Sequence, residues 1–240
     1  MSIRFASLLV IGLLATGLAH AQTLPLPDNL TGFESDPGEQ LLLDADAREA
    51  YFPLASNFVT QKNQAYCGVA SIVMVLNSMK VPPPPVAEYE PYKTFTQDNV
   101  LDERTDKALP RSVLMEIGMT LDQIAGILRT QPVKADVHHA AESSLDEFRK
   151  AAVSYLDQPG NYVIVNYLRK AIHQETGGHI SPLAAYDAES DRFLILDVAR
   201  YKYPPVWVKA SELFDAMNTI DSDNHGLTRG YVLISGAAAQ

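Results

Sequence analysis

Cysteine is almost missing from this 240-residue chain: Cys67 is the only one. A single cysteine cannot close an internal disulfide, so no disulfide framework holds the fold. Basic residues are also scarce. Lys and Arg number 19 against 29 Asp and Glu, giving a formal net charge of −10 at pH 7. That balance argues against nucleic-acid binding, which depends on cations that neutralise phosphates. It leaves only an unspecific attraction for metal cations. Beyond the N-terminal stretch there is no long apolar run, so no later segment is expected to cross a membrane. There is no internal repeat and no low-complexity domain. The run Pro82-Pro83-Pro84-Pro85 is a stiff connector, too short for a recognition tract.

The N-terminal stretch reads as a leader. Arg4 supplies a short positive region, Leu8 to Leu18 is apolar, and Ala19-His20-Ala21 is an Ala-x-Ala cleavage signal. Residues 1–21 are therefore expected to be a secretory signal peptide, with Gln22 as the mature start. No cysteine follows the cleavage site, so no lipid anchor is expected and no membrane anchor remains after cleavage. A Gram-negative periplasm is the expected destination. Residues 22–240 are long enough for one sizeable catalytic domain, burying about 70% of the unfolded chain's surface. Export makes the lone thiol informative. Exported proteins use cysteines in pairs, and a free thiol in an oxidising compartment needs a reason to be there.

The surroundings of Cys67 offer one. Val69, Ile72, Val73, Val75 and Leu76 follow it at helical spacing, so a helix is expected over 67–79, stopped by the prolines. A helix N-terminus carries free N–H groups and partial positive charge, and both favour a thiolate. Gln61, upstream, has an amide suited to donate to a developing oxyanion. Gly177-Gly178-His179 and a strand-like run ending in Asp197 come later. The order is oxyanion donor, nucleophile, base and orienter: Gln61, Cys67, His179, Asp197. His179 is expected to take the Cys67 proton to form an ion pair, with Asp197 fixing the imidazole.

Residues 22–50 read as an extended, turn-rich lead-in with Pro25, Pro27, Asp28-Asn29 and Asp36-Pro37-Gly38, and 96–105 as a helix. Thr120-Leu-Asp-Gln123 and Ser144-Leu-Asp-Glu147 are capping-box patterns that open helices to about Arg129 and Asp157. Tyr162–Tyr167 is rich in β-formers. His179–Tyr186 and Arg192–Val198 flank a turn and read as a hairpin, which brings His179 beside Asp197. Ser211–Ile220 reads as an amphipathic helix and Tyr231–Ser235 as a closing strand. Helices first and antiparallel strands later give an α+β class.

Three segments carry a family resemblance. Gln64-Ala-Tyr-Cys67-Gly-Val-Ala-Ser-Ile-Val-Met-Val-Leu-Asn-Ser resembles the active-site segment of phytochelatin synthases. So do Gly178-His179-Ile-Ser-Pro-Leu-Ala-Ala-Tyr-Asp and Leu194-Ile-Leu-Asp197-Val-Ala-Arg-Tyr-Lys-Tyr-Pro-Pro-Val-Trp207. With Arg229-Gly-Tyr, the likeness spans roughly residues 50–235. It implies a papain-like fold, with the cysteine helix packed on a C-terminal antiparallel sheet that carries His179 and Asp197. It implies glutathione as substrate. Cys67 attacks the Cys–Gly bond, glycine leaves, and a γ-glutamylcysteinyl thioester forms. Water resolves it to γ-glutamylcysteine, or a second glutathione to phytochelatin. Gln61 carries over as oxyanion donor and Arg229 as a substrate-binding arginine. No cofactor is implied for acylation. Heavy-metal ions such as cadmium or zinc are expected to stimulate as glutathione thiolate complexes. Plant and yeast members have a cysteine-rich C-terminal region, whereas no cysteine follows Cys67 here. The chain is thus similar to the short bacterial form, associated more with hydrolysis than polymer synthesis and compatible with a homodimer.

Blander readings compete. A lone cysteine is more often a small buried hydrophobe than a nucleophile. His138-His139, His173 and His225 lack the converging ligand set of a zinc site, so no metal site is expected from them. An exported papain-like peptidase that processes leader peptides shares a Gln…Cys-Gly segment and a later Gly-His. Its cysteine often follows Asp, where this chain has Tyr66. A non-catalytic periplasmic thiol- or metal-binding protein would need Cys67 without a working base.

Overall fold

The computed structural model describes residues 23–236. The expected leader, 1–21, and the expected mature start at Gln22 lie outside the described residues. The core is one seven-stranded antiparallel sheet, β1 Thr31–Gly32, β2 Val133–His139, β3 Tyr162–Leu168, β4 Gly178–Asp187, β5 Arg192–Ile195, β6 Val206–Lys209 and β7 Gly230–Gly236, in the order β1-β6-β5-β4-β3-β7-β2. The helices are α1 Asp36–Asp44, α2 Tyr51–Ser56, α3 Cys67–Ser78, α4 Arg111–Ile117, α5 Leu121–Leu128, α6 Leu145–Leu156 and α7 Ala210–Met217. This is an α+β architecture, consistent with the papain-like fold expected. No helix among the described residues is long and apolar enough to cross a membrane.

Two elements decide where the chemistry sits. Every residue of α3 except Asn77 is buried. A helix that is apolar all round belongs in an interior, and α3 packs on β4. The other element is the β4–β5 hairpin. Asp187 Oδ1 accepts the Ser190 N–H at 2.8 Å and the Ser190 hydroxyl at 2.5 Å, closing the turn. Beyond β5 the chain leaves regular pairing, with the Leu196 N–H donating to the Pro182 carbonyl at 3.1 Å. The expected strand over 192–198 therefore stops at Ile195, and the next residues fold back alongside His179 and Ser181.

Both capping boxes form, Thr120 on α5 and Ser144 on α6. Other expectations need correction. The 22–50 lead-in contains α1. Asp36-Pro37-Gly38 is not a turn but the first turn of that helix, with the Ser35 hydroxyl accepting the Gly38 N–H at 3.2 Å. Proline at the start of a helix forfeits only an N–H that has no intrahelical partner. Residues 96–105 are not a helix. Asn99 Oδ1 takes the Thr96 N–H at 2.8 Å, Thr105 Oγ1 takes that of Asp102 at 2.8 Å, and Asp102 Oδ1 takes that of Arg104 at 2.9 Å. Short polar side chains have claimed the backbone donors that a helix needs. The rule of helices first is broken by β1 and by β2, which pairs with β7 at the sheet edge.

Candidate active site

Cys67 is the first residue of α3, buried, with its sulfur facing the backbone N–H groups of Gly68 and Ile180. Ser71, one turn on, ties α3 to β4: its hydroxyl lies 2.8 Å from the Cys67 carbonyl and 3.3 Å from that of Ile180. His179 sits opposite Tyr167 in the β3–β4 register, and the two rings meet edge to face at 5.7 Å. His179 Nε2 is 2.8 Å from Asp197 Oδ1 and 2.9 Å from Ser181 Oγ. That leaves Nδ1 as the ring nitrogen available to a thiol. Cys67 and His179 line one cavity of about 300 Å³. The sequence-predicted Cys67, His179 and Asp197 are thus brought together by α3 and the hairpin.

The residue that sequence reasoning missed is Arg169. It follows β3 directly and is buried, with Nη2 at 2.9 Å from Asp197 Oδ1 and 2.8 Å from Oδ2. Only the Oδ1 contact has hydrogen-bond geometry; Oδ2 receives no directed bond. Arg169 Nη1 donates to Gln174 Oε1, and the guanidinium lies over the Tyr203 ring at 5.2 Å. The signal that could have found it is register. Once β3 and β4 are read as a pair, Leu168 faces Gly178, so Arg169 must lie beside the Gly-Gly-His turn.

Electrostatics at the site pull in opposing directions. Burial pushes the Cys67 thiol up; the N–H groups of Ile180 and Gly68 and the charge of Arg169 pull against it without winning. Burial likewise pushes His179 down, with Asp197 opposing and Arg169 and Lys202 assisting. Burial of the two groups thus works against the ion pair expected from the helix N-terminus. Desolvation of both groups outweighs the dipole. Asp197 is the reverse case. Burial would raise it, but His179 and Arg169 hold it at about 2.

Gln61 is buried, and its amide is committed. Nε2 donates to the Asn63 carbonyl at 2.6 Å and meets the Tyr201 hydroxyl at 3.1 Å, while Oε1 is buried without a partner. It lines a second cavity, also lined by His179, rather than the one lined by Cys67. Donation to an oxyanion at Cys67 requires the exposed Tyr201 to release it. Arg229 lines the Cys67 cavity together with Asp221 and Asp223. Its Nη1 donates to the Ile220 carbonyl at 2.6 Å, Nη2 lies 3.6 Å from Asp221, and Nε is buried without a partner. Gly178 makes room for it, since a Cβ there would lie 3.3 Å from Nε and Nη2. Larger cavities of about 650 and about 1410 Å³ lie elsewhere, and neither is lined by Cys67 or His179.

The histidine pair lies apart from this site. His138 stacks on Tyr231 at 4.8 Å, while His139 is held between the Thr228 carbonyl at 2.6 Å and Asp122 at 3.1 Å. Among the described residues no group of three or more His, Cys, Asp or Glu is placed to hold a metal ion.

A family model described as phytochelatin synthase matches residues 21–231. Glutathione gamma-glutamylcysteinyltransferase 3 of Lotus japonicus is 35% identical over 225 residues, covering 92% of this chain and 45% of the relative. Glutathione gamma-glutamylcysteinyltransferase 1 of Arabidopsis thaliana is 33% identical over 225 residues, with the same coverage of 92% and 45%. The Schizosaccharomyces pombe glutathione gamma-glutamylcysteinyltransferase is 31% identical over 217 residues, covering 87% of this chain and 50% of the relative. The chain thus spans about half the length, or slightly less, of these curated relatives. A match over residues 21–231 of 240 leaves one conclusion: the chain belongs to the phytochelatin synthase family.

Proposed function

We propose that this protein is a thiol acyltransferase and hydrolase acting on glutathione. The observation that carries the reading is a cavity lined by Cys67, His179, Arg229 and Asp221, with Asp197 held 2.8 Å behind the His179 ring. A guanidinium and a carboxylate side by side suit the zwitterionic α-amino acid end of a γ-glutamyl group. As the Cys67 sulfur attacks the cysteinyl carbonyl carbon, His179 Nδ1 accepts the thiol proton. Asp197 steadies the imidazolium through Nε2, and Arg169 keeps Asp197 ionised. Free N–H groups in the first turn of α3 face the developing oxyanion. Gln61 joins them once Tyr201 releases it. The C–N bond then breaks, His179 returns its proton to the departing nitrogen, and glycine leaves. Water or the amine of a second glutathione resolves the thioester.

No metal takes part in acylation on this reading. Cadmium or zinc acts by presenting glutathione as a thiolate complex. The protein works after export, in the periplasm, and a homodimer remains compatible with it. Hydrolysis to γ-glutamylcysteine dominates at modest glutathione, where water outcompetes a second glutathione for the thioester.

The test is mass analysis of products from purified protein and glutathione, with a strong chelator and then with cadmium. Glycine and γ-glutamylcysteine should appear in chelator. Folded Cys67→Ala and His179→Ala should each release none. Turnover by folded Cys67→Ala would sink the mechanism, and glycine release that needs added metal would make metal part of the catalytic apparatus.

A further inference from the structure

Gln61 does not rest where the reaction needs it. Its amide donates to the Asn63 carbonyl and meets Tyr201, in a cavity beside the one that Cys67 lines. Its swing toward the sulfur starts from its own backbone, so whatever fixes that backbone fixes where the amide arrives. Two restraints do so from opposite sides, as the alternating directions of an extended chain dictate. On one side the Gln61 N–H donates to the Val198 carbonyl at 2.9 Å, one residue beyond Asp197. On the other, the Gln97 amide bonds through both of its ends to the backbone that brackets Gln61. Oε1 accepts the Lys62 N–H at 2.9 Å, and Nε2 donates to the Thr60 carbonyl at 2.9 Å. Gln97 thus pairs with this segment as a neighbouring strand would.

Gln97 is itself anchored, and to the helix of the nucleophile. Asn77, in the last turn of α3, repeats the device: its Oδ1 accepts the Phe95 N–H at 2.9 Å and its Nδ2 donates to the Phe95 carbonyl at 3.0 Å. Asn99 stiffens the segment between, with Oδ1 accepting the Thr96 N–H at 2.8 Å and Nδ2 donating to the Thr94 carbonyl at 2.9 Å. A line of directed bonds therefore runs from the Cys67 helix through Asn77, residues 94–99 and Gln97 to the backbone of Gln61. We propose that residues 94–99 are a brace between the nucleophile and its oxyanion donor, and that Gln97 is a positioning residue for acylation. This rests on the acyl-transfer reading above, with Gln61 as the donor, and deepens it. The Lys62–Asp98 ion pair beside Gln97 is solvent-exposed and does not substitute for it, because exposed pairs hold geometry weakly. Gln97 lines neither the Cys67 cavity nor the one beside it, so it acts on the chemistry through Gln61.

The experiment measures acylation in a single turnover, as glycine released at increasing glutathione, in Gln97→Met, Gln97→Glu, Gln61→Ala and the double variant Gln61→Ala with Gln97→Met. Methionine keeps the length of the side chain and removes both bonds; glutamate keeps the acceptor for Lys62 and loses the donor for Thr60. Losing an oxyanion donor outright costs on the order of a hundredfold, and misplacing one costs less. Gln97→Met should therefore lower the limiting rate on the order of tenfold, and the half-saturating glutathione should change less than about twofold. Gln97→Glu should fall between it and the unaltered protein. In the Gln61→Ala background, Gln97→Met should cost less than about twofold, because the group it positions is gone. A loss that persists undiminished in that background would show a general structural role and overturn the proposal. So would a normal limiting rate in folded Gln97→Met, or an effect confined to half-saturation. Should Gln97→Met not fold, Gln97→Glu carried through the same two backgrounds decides in the same way. Normal acylation by Gln61→Ala would leave the brace nothing to position and overturn it too. Failure of the unaltered protein to release glycine would instead overturn the acyl-transfer reading.

Discussion

Burial disfavours the charged forms of both Cys67 and His179. The thiol is pushed up and the imidazole down, in both cases first by burial. An enzyme resting as a thiolate–imidazolium pair alkylates at a steady rate between the two titrations. This one should not. Inactivation of substrate-free protein by iodoacetamide should be slow near neutral pH and climb steadily into the alkaline range, because thiolate is the reactive form and burial delays it. The measurement is the second-order rate constant against pH, with labelling confirmed at Cys67. A flat plateau across mildly acid and neutral pH would mean the ion pair exists after all. Arg169 shapes the same balance from behind. Its charge opposes protonation of His179 and favours ionised Asp197, and nothing in the composition or periodicity around it marks it as buried.

At the scale of elements, the cap on α5 shows how local chemistry positions the site. Gln123 N–H donates to Thr120 Oγ1 at 3.3 Å, and Thr120 N–H to Gln123 Oε1 at 2.9 Å. The helix packs on β2 and β7, and Thr120 follows Met119, which lines the Cys67 cavity. Thr120→Ala should lower the unfolding free energy by about 1 kcal/mol, the usual cost of a lost N-cap, and leave glycine release near normal. Urea denaturation monitored by circular dichroism checks the first part and product assay the second. Such boxes were legible because both partners lie within four residues of each other. α3 was legible because a fully apolar helix after Cys67 admits few other readings, and the β4–β5 hairpin because Asp187–Asp191 is a polar turn between strand-formers. What could not be read was settled at longer range or by competition. Whether Asp36-Pro37-Gly38 turns or starts a helix depends on the Ser35 hydroxyl meeting Gly38. Whether 96–105 coils depends on Asn99, Asp102 and Thr105 capturing backbone donors first. β2 is a strand because β7 offers it an edge, a partner nearly a hundred residues away. Cys67, His179 and Asp197 could be proposed together because the hairpin brings the last two side by side. The commitment of Gln61 to Tyr201 spans 140 residues and has no local trace.

At the scale of the whole molecule, the site is also a point where the fold is fastened. Asp197 joins the hairpin through His179, the end of β3 through Arg169, and its own loop through the Ala199 N–H at 2.9 Å. Its carboxyl is held at about 2, against 3.8 for the ordinary group. A carboxyl with a depressed folded value binds protons more readily when unfolded, so its stabilisation is complete above the unfolded value and drains away as pH falls toward the folded one. His179 adds a separate loss at milder acidity. Its folded value lies below the ordinary 6.5, so the unfolded chain takes up that proton first as pH drops through that value. Other carboxylates, Asp102 and Asp191 among them, are also depressed, chiefly by arginine partners, so the total acid slope belongs to no single residue. The difference between wild type and Asp197→Asn isolates one. That difference should stay constant above about pH 7 and rise as pH falls toward about 5, because the Asp197 carboxylate favours protonated His179 in wild type alone. It should then shrink by about 2 kcal/mol as pH falls to about 2, since each tenfold difference in proton affinity between the folded and unfolded chains is worth about 1.4 kcal/mol. Chemical denaturation of both proteins across that range makes the measurement. A difference that does not vary with pH would mean that Asp197 is stabilising by shape and hydrogen bonding alone, and that its charge is not held by His179 and Arg169.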